Sequence, residues 1–147
     1  MNDKNTDTTE LLRECNSGIK MGIDSIDELL PDVKDDGLRH ILEECRTTHQ
    51  RLGSRSHELL ERYGEPTTEP HPIAKSMSWL KSNIKMAAKP SDATVADLIT
   101  DGCNMGVKSL NSYVNRYENA DEEVVKLTKQ LIRSEEKLCA DVRAYLN

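Results

Sequence analysis

The chain contains no phenylalanine, and its aromatic side chains besides histidine are one tryptophan and four tyrosines among 147 residues. Sheets are usually rich in aromatic and β-branched residues, so this scarcity argues against a β fold. Charged residues make up 31% of the chain and apolar residues 36%, which is typical of amphipathic helices with one narrow apolar stripe. We therefore expect an all-helical protein and, at this length, a single domain over residues 1–147.

Long apolar runs and paired cysteines are also missing. No segment approaches the roughly 20 apolar residues of a membrane span, and the polar stretch from Met1 to Thr9 does not resemble a signal peptide. The four cysteines form no CxxC pair, and in a reducing cytosol such cysteines are usually small buried hydrophobes. A net charge of -6 argues against general nucleic-acid binding. We expect a cytoplasmic protein without membrane or nucleic-acid partners.

Apolar residues recur in steps of three and four along five segments, which is the spacing of one helix face. The first helix is predicted from about Thr8 to Leu30, with Asp7 and Glu10 at the spacing of a capping box. The predicted stripes are Leu12, Cys15, Ile19, Gly22, Ile26 and Leu29; Leu38, Leu42, Cys45, His49, Leu52, Ser56, Leu59 and Tyr63; Ile73, Met77, Leu80, Ile84 and Ala87; Ile99, Cys103, Val107, Leu110, Val114 and Tyr117; and Val124, Thr128, Leu131, Glu135, Leu138, Val142 and Tyr145.

The connections between these helices predict two antiparallel hairpins, residues 8–63 and 91–147, because short loops join antiparallel neighbours. Gly64 is expected to end the second helix, and Ser91 or Asp92 to cap the fourth. Residues 64–90 are long enough to cross the whole bundle and carry one short helix. A long crossover between two antiparallel pairs is the topology of a ferritin-like four-helix bundle.

The two hairpins also resemble each other in sequence. Cys15-Asn-Ser-Gly-Ile-Lys20 recurs as Cys103-Asn-Met-Gly-Val-Lys108, 88 residues later. The partner helices correspond at a displacement of 86 residues, which pairs His49 with Glu135. We therefore expect an internal repeat of one hairpin design.

Three segments together are similar to a bacterial ferritin-like family that has no assigned function. They are the Asn-x-Gly-Ile-Lys element of residues 16–20, the stretch from Gly64 through His71-Pro-Ile to the helix containing Trp79, and residues 92–108. The resemblance implies the bundle fold, a cytoplasmic setting and a metal-binding ancestry.

A ferritin-like di-iron centre needs one Glu from each of two helices and a Glu-x-x-His from each of the others. Here Arg46 stands three residues before His49, and Glu135 stands where a second histidine is expected, so the pattern argues against a di-iron enzyme. His49 and Glu135 interrupt apolar stripes. Because unpaired polar groups are costly to bury, we expect these two side chains to pair with each other. The alternatives are a mononuclear iron or zinc site made by His49, Glu135, Cys45 and Cys139, or rotation into solvent.

Two glycines, Gly18 and Gly106, occupy equivalent places near the expected height of His49. Glycine costs about 1 kcal/mol in a helix interior, so both positions need a reason. Close contact between helices is one explanation, and room for the polar pair or for a small ligand is the other.

The crossover segment is basic and has no acidic residue between His71 and Lys89. Its lysines either face solvent or dock on the bundle, or they bind an acidic protein partner or a second subunit, with Trp79 as an anchor. The candidate partner-binding residues are Trp79, Lys81, Lys85 and Lys89.

No combination of nucleophile, acid and base at motif spacing predicts catalysis. The sequence thus favours a non-catalytic ferritin-like bundle with a degenerate metal site that acts through protein contacts, as a homodimer. The alternative is an iron- or zinc-binding bundle that uses His49 and Glu135.

Overall fold

The computed structural model describes residues 4–65 and 90–147, and over these residues it contains helices and no strand. The prediction of an all-helical chain is thereby confirmed. Within the same ranges, no helix has the length and apolar character needed to cross a bilayer. The helices are α1 (Lys4–Leu29), α2 (Asp36–Arg62), α3 (Asp92–Arg116) and α4 (Glu122–Val142), with 3-10 turns at Leu30–Asp32 and Arg143–Tyr145.

The ends of α2 and α3 follow from local capping. The Asp35 side chain accepts a hydrogen bond from the backbone N–H of Leu38 at the start of α2, and Gly64 follows its end with a φ of 71°. The Ser91 hydroxyl accepts from the backbone N–H of Thr94 at the start of α3. The predicted roles of Gly64 and Ser91 are therefore confirmed.

The start of α1 differs from the prediction, because the chain is already helical at Lys4, the first described residue, and not only from about Thr8. Asp7 and Thr8 are buried against the turn between α3 and α4, where Asp7 accepts from the N–H of Asn119 at 3.0 Å and Thr8 from that of Asp121 at 2.7 Å. The capping box predicted for Asp7 and Glu10 is wrong. Asp7 and Thr8 each satisfy one donor of the other hairpin, which no local pattern can indicate.

Hydrogen bonds at the two ends of the bundle give the direction of each helix. At one end the backbone N–H groups of Lys34 and Asp35 donate to Asp92, at 2.8 and 3.0 Å, and the Tyr145 hydroxyl donates to Asp35. At the other end the Tyr63 hydroxyl donates to Asp121 at 2.5 Å. Thus α1 and α4 run in one direction and α2 and α3 in the other. Consequently, residues 65 and 90 lie at opposite ends of the bundle.

Within the described residues, the core consists of two apolar clusters separated by a polar level. One cluster lies at the end of the turn between α1 and α2 and includes Leu42 and Val142, and the other lies toward the opposite end and includes Leu12 and Leu131. His49 and Glu135 are also buried, and each stands between residues of the two clusters along its own helix. Helices of the same hairpin pack more extensively than helices of different hairpins, which leaves a weaker contact line on two opposite sides.

Candidate functional site

The polar level of the core is an ion pair between α2 and α4. His49 Nε2 lies 3.0 Å from Glu135 Oε1, and His49 is 1% exposed. Its other ring nitrogen, Nδ1, lies 3.0 Å from the backbone oxygen of Cys45. A carbonyl oxygen only accepts, so Nδ1 carries a proton, and Nε2 faces a carboxylate. The predicted pairing of His49 with Glu135 across the core is confirmed.

The surroundings of His49 favour its charged form. Burial by itself lowers the pKa of His49, but hydrogen bonds with Cys45 and Glu135, and the charge of these neighbours, raise it to about 10. At neutral pH the ring is therefore an imidazolium that donates from both nitrogens. The positive charge of His49 balances the negative charge of the Glu135 carboxylate, so the pair leaves no uncompensated charge in the core.

A glycine of α1 makes room for this histidine. A Cβ atom at Gly22 would lie 2.6 Å from His49 Cδ2 and 2.7 Å from His49 Nε2, far closer than such atoms approach each other. A Cβ at Gly106 would lie 3.7 Å from the Glu135 carboxyl carbon, while one at Gly18 would face Leu131 at 3.5 Å. The glycine against His49 is thus Gly22, which the sequence pattern marks only as a stripe position, and Gly18 lies one turn away.

A cavity of about 260 Å³ lies between α1 and α3 and reaches His49 and Glu135. It forms where side chains are short, since its wall contains seven glycines and serines: Ser17, Gly18, Gly22, Ser25, Gly102, Gly106 and Ser109. Most of the remaining wall is apolar, with Met21, Ile26, Leu29, Leu98, Ile99, Met105, Leu110 and Leu138. Met105 is 60% exposed, so the cavity opens to solvent. We call it the α1–α3 cavity.

The polar groups of the α1–α3 cavity are few and distinct. The Ser17 hydroxyl is buried, in a residue 6% exposed, and has no hydrogen-bond partner within residues 4–65 and 90–147. The Cys103 thiol is protonated, because burial and then the charge and hydrogen bond of Glu135 raise its pKa. Glu14 accepts from the Tyr113 hydroxyl, which raises the pKa of Tyr113. The cavity therefore joins an apolar wall to one unpaired hydroxyl and two carboxylates.

The four residues predicted for a metal site are only partly brought together. Cys45 Sγ lies 3.5 Å from His49 Nδ1, beside the ion pair. Cys139 Sγ instead contacts Asn104 Oδ1 at 3.7 Å. In the part of the chain that the structure describes, no group of three or more His, Cys, Asp or Glu side chains is arranged to hold a metal ion.

Arg46 takes no part in the polar level. Its guanidinium binds Asp27 at 2.6 Å on the outside of the α1–α2 hairpin, which raises its pKa. Arg46 therefore lies outside the site, although it stands three residues before His49 in the sequence. The four candidate residues Trp79, Lys81, Lys85 and Lys89 lie outside the described residues.

A second opening, of about 270 Å³, lies on the opposite side of the bundle between α2 and α4. Its floor includes Cys45, Leu52 and Leu138, so it approaches the ion pair from the other direction. Its walls are charged or polar. We call this opening the α2–α4 groove. The residues of these walls are Glu44, Thr48, Arg51, Gln130, Arg133, Ser134, Lys137 and Asp141.

No protein-family model, curated protein or solved structure matches this chain. The resemblance to a bacterial ferritin-like family consequently stays a prediction. What the protein does must be inferred from the two openings and from the ion pair between them.

Proposed function

We propose that this chain is a non-catalytic helical bundle of ferritin-like topology that binds a compact small molecule in the α1–α3 cavity. In this proposal the His49–Glu135 ion pair occupies the level of the bundle at which a ferritin-like protein would hold its metal. The observation that carries the proposal is an open cavity of about 260 Å³ whose wall is rich in glycines and serines and which reaches the Glu135 carboxylate. A concave, mostly apolar pocket with a few polar groups is the usual form of a small-molecule site.

The directions of the helices support the topological part of the proposal. Within each hairpin the helices are antiparallel, and α2 ends at the opposite end of the bundle from the start of α3. The described ends at residues 65 and 90 are thus separated by the length of the bundle, as in ferritin-like folds, whereas an up-down-up-down bundle would place them at one end. The prediction of an internal repeat, with two hairpins of one design, belongs to the same proposal.

The state of His49 supports an ion pair in place of a metal. Both ring nitrogens are already donors, to the Cys45 carbonyl and to Glu135 at 3.0 Å each. A metal ligand must present a neutral ring with a free lone pair. Iron or zinc would have to displace a proton from a ring whose pKa is raised to about 10, and this disfavours the metal-binding alternative.

The cavity is not explained by the packing needs of the helices alone. Gly22 is required because His49 occupies the space of its side chain. A Cβ atom at Gly102 would meet no atom of the described residues within 4 Å, and Gly106 has room for a methyl group at ordinary contact distance. Each helix-interior glycine costs about 1 kcal/mol relative to alanine. Both glycines leave open volume in the cavity wall, and Gly106 leaves it beside Glu135.

The charges of the wall indicate the class of ligand. Glu14 and Glu135 contribute two carboxylates and His49 contributes one cation, while no lysine or arginine of residues 4–65 or 90–147 lines the cavity. The volume of about 260 Å³ is slightly below the usual range of drug-sized pockets. The best match is a compact molecule with an apolar body and one protonated amine.

The test is a titration of the protein with small primary alkylamines, in which nuclear magnetic resonance of the protein monitors binding. Matched alcohols and carboxylates of the same carbon skeleton serve as comparison ligands. We expect saturable amine binding that shifts signals of α1 and α3, with at least tenfold weaker binding of the carboxylates. Equal binding of all three classes would contradict the proposed ligand chemistry.

A pair of leucine variants tests the location. Gly106→Leu fills the cavity beside Glu135, whereas Ser112→Leu adds the same side chain at an exposed position of α3 outside the cavity. Amine binding should be lost in the first and kept in the second. Binding that survives Gly106→Leu would show that the ligand lies elsewhere. The predicted homodimer and the acidic partner of the crossover segment stay predictions.

A further inference from the structure

The α2–α4 groove differs from the α1–α3 cavity in the charge of its walls. Arg51 of α2 and Arg133 and Lys137 of α4 line it, together with the hydroxyls of Thr48 and Ser134. Leu52 and Leu138 form part of its floor. Cations and hydroxyl donors are thus gathered around an opening of about 270 Å³ in a chain whose net charge is -6.

Two of these cations are not used by the described part of the fold. Five arginines elsewhere on the bundle have polar partners: Arg13 binds Glu65, Arg46 binds Asp27, Arg55 and Arg62 bind Glu123, and Arg39 donates to the Val33 carbonyl. Arg51 and Arg133 have no hydrogen bond or ion pair with any residue of 4–65 or 90–147. They stand on two facing helices and line one groove.

The acidic residues of the groove do not neutralise these arginines. Asp141 is bound to Lys137 at 2.6 Å, and Glu44 makes no ion pair with either arginine. The positive charge of His49 below the floor is balanced by Glu135. Two arginines against the one remaining carboxylate of Glu44 leave the groove with a surplus of positive charge.

We propose that the α2–α4 groove binds a small polyvalent oxyanion between the guanidinium groups of Arg51 and Arg133. A guanidinium presents planar pairs of N–H donors that match two oxygens of a phosphate or a carboxylate. Thr48 and Ser134 supply further donors along the same walls. This site is distinct from the α1–α3 cavity and does not depend on the function proposed for that cavity.

The experiment is a titration of the full chain with inorganic phosphate, pyrophosphate and citrate in separate series at low ionic strength, with chloride as the monovalent reference. Calorimetry or nuclear magnetic resonance gives the affinity and stoichiometry. We expect saturable binding of one anion per chain, at least tenfold tighter than chloride. A preference for pyrophosphate indicates a phosphate ligand, and a preference for citrate indicates a carboxylate ligand. Binding that does not saturate overturns the proposal.

Three glutamine variants distinguish anion binding at the groove arginines from a general effect of the net charge. Arg51→Gln and Arg133→Gln each remove one groove arginine, and Arg143→Gln removes an exposed arginine outside the groove. We expect each groove variant to weaken binding about tenfold and Arg143→Gln to weaken it less than twofold. Equal weakening in all three variants would show that only the net charge matters and would overturn the proposal.

The cavity-filling variant keeps the two proposals apart. Gly106→Leu lies on α3 and does not touch the α2–α4 groove, so it should bind the anion as the natural chain does. Loss of anion binding in Gly106→Leu would contradict the assignment of the anion to the groove. Loss of amine binding alone leaves the anion site in place.

Discussion

The two sides on which the hairpins meet are built from opposite kinds of residue. The α1–α3 cavity has glycines, serines and methionines in its walls and reaches Glu135 and the Nε2 side of His49. The α2–α4 groove has arginines, lysine and hydroxyl residues and stops at Cys45. One ion pair therefore has an apolar, carboxylate-bearing approach on one side and a cationic approach on the other.

This difference shows how a bundle of two hairpins acquires binding sites without a change of fold. Helices of one hairpin pack extensively, and the weaker contact between hairpins leaves two places where the core is accessible. Short residues such as Gly102 and Gly106 leave depth, because no side chain of the described residues fills the space. Long charged residues such as Arg51 and Arg133 cover the core instead and set the sign of the charge.

The largest effect is expected from breaking the pair that separates the two sides. His49→Leu leaves the Glu135 carboxylate buried without its cation, and Glu135→Leu leaves His49 without its anion. Each single change should lower the free energy of unfolding by about 3 kcal/mol at pH 7. The double change to leucine should cost less than either single change, since an apolar pair has no charge to compensate.

Urea unfolding followed by circular dichroism measures this double-mutant cycle. The control pair is Arg62→Gln and Glu123→Gln, which removes an exposed ion pair and should cost at most about 1 kcal/mol. Additive losses in the His49 and Glu135 variants would mean that the two residues are not coupled in solution.

The next largest change in stability is expected on the cavity side, from alanine substitutions at two glycines of the facing helices α1 and α3. Gly22→Ala places a Cβ 2.6 Å from the His49 ring and should destabilise the protein by about 1 to 3 kcal/mol. Gly106→Ala places its Cβ 3.7 Å from Glu135 and should stabilise it by up to about 1 kcal/mol, through helix propensity. Thermal unfolding of both variants measures the difference. Similar changes in both would contradict the close approach of His49 to α1.

These glycines also show where inference from the sequence ends. Steps of three and four along each stripe predict the four described helices, and two polar interruptions predict the pairing of His49 with Glu135. Which glycine meets His49 depends on how α1 is rotated against α2, and the sequence pattern favoured Gly18 although the contact is made by Gly22.

Tertiary contacts account for the other features that the sequence did not indicate. Asp7 and Thr8 bind backbone donors more than 110 residues away, so their place inside α1 and not at its cap has no local signal. Arg51 and Arg133 look like other surface arginines in the sequence, and only their position on two facing helices beside one groove sets them apart. The predictions for residues 66–89 fall outside the described residues.

A smaller change in the free energy of unfolding is expected for each unit of pH, because the ion pair requires protonated His49. The folded state raises the pKa of His49 to about 10, above its ordinary value of 6.5. The stabilisation is complete below pH 6.5 and is lost as pH rises toward 10. We expect a loss of about 1 kcal/mol per pH unit within this window, relative to the His49→Leu/Glu135→Leu chain.

The comparison with the double variant is necessary because other buried groups titrate. Burial raises the pKa of Cys15 to about 12, and burial together with Glu135 raises that of Cys103. These thiols destabilise the folded state above the pKa of the unfolded thiol, which overlaps the upper part of the window. Cys15 is common to both chains and cancels in the difference, and a Cys103→Ala background removes the second contribution. Parallel pH curves in that background would contradict a protonated His49.

The smallest effect is expected on the cationic side, where the arginines do not support the fold. Arg51→Gln and Arg133→Gln remove no hydrogen bond or ion pair with residues 4–65 or 90–147, so each should change the free energy of unfolding by less than about 0.5 kcal/mol. Urea unfolding at low ionic strength measures this, and Arg46→Gln, which loses its contact with Asp27, is the comparison. If polyvalent oxyanions bind the folded chain, added pyrophosphate should stabilise the natural chain and Arg46→Gln more than either groove variant, because stabilisation by a ligand grows with its affinity for the folded state.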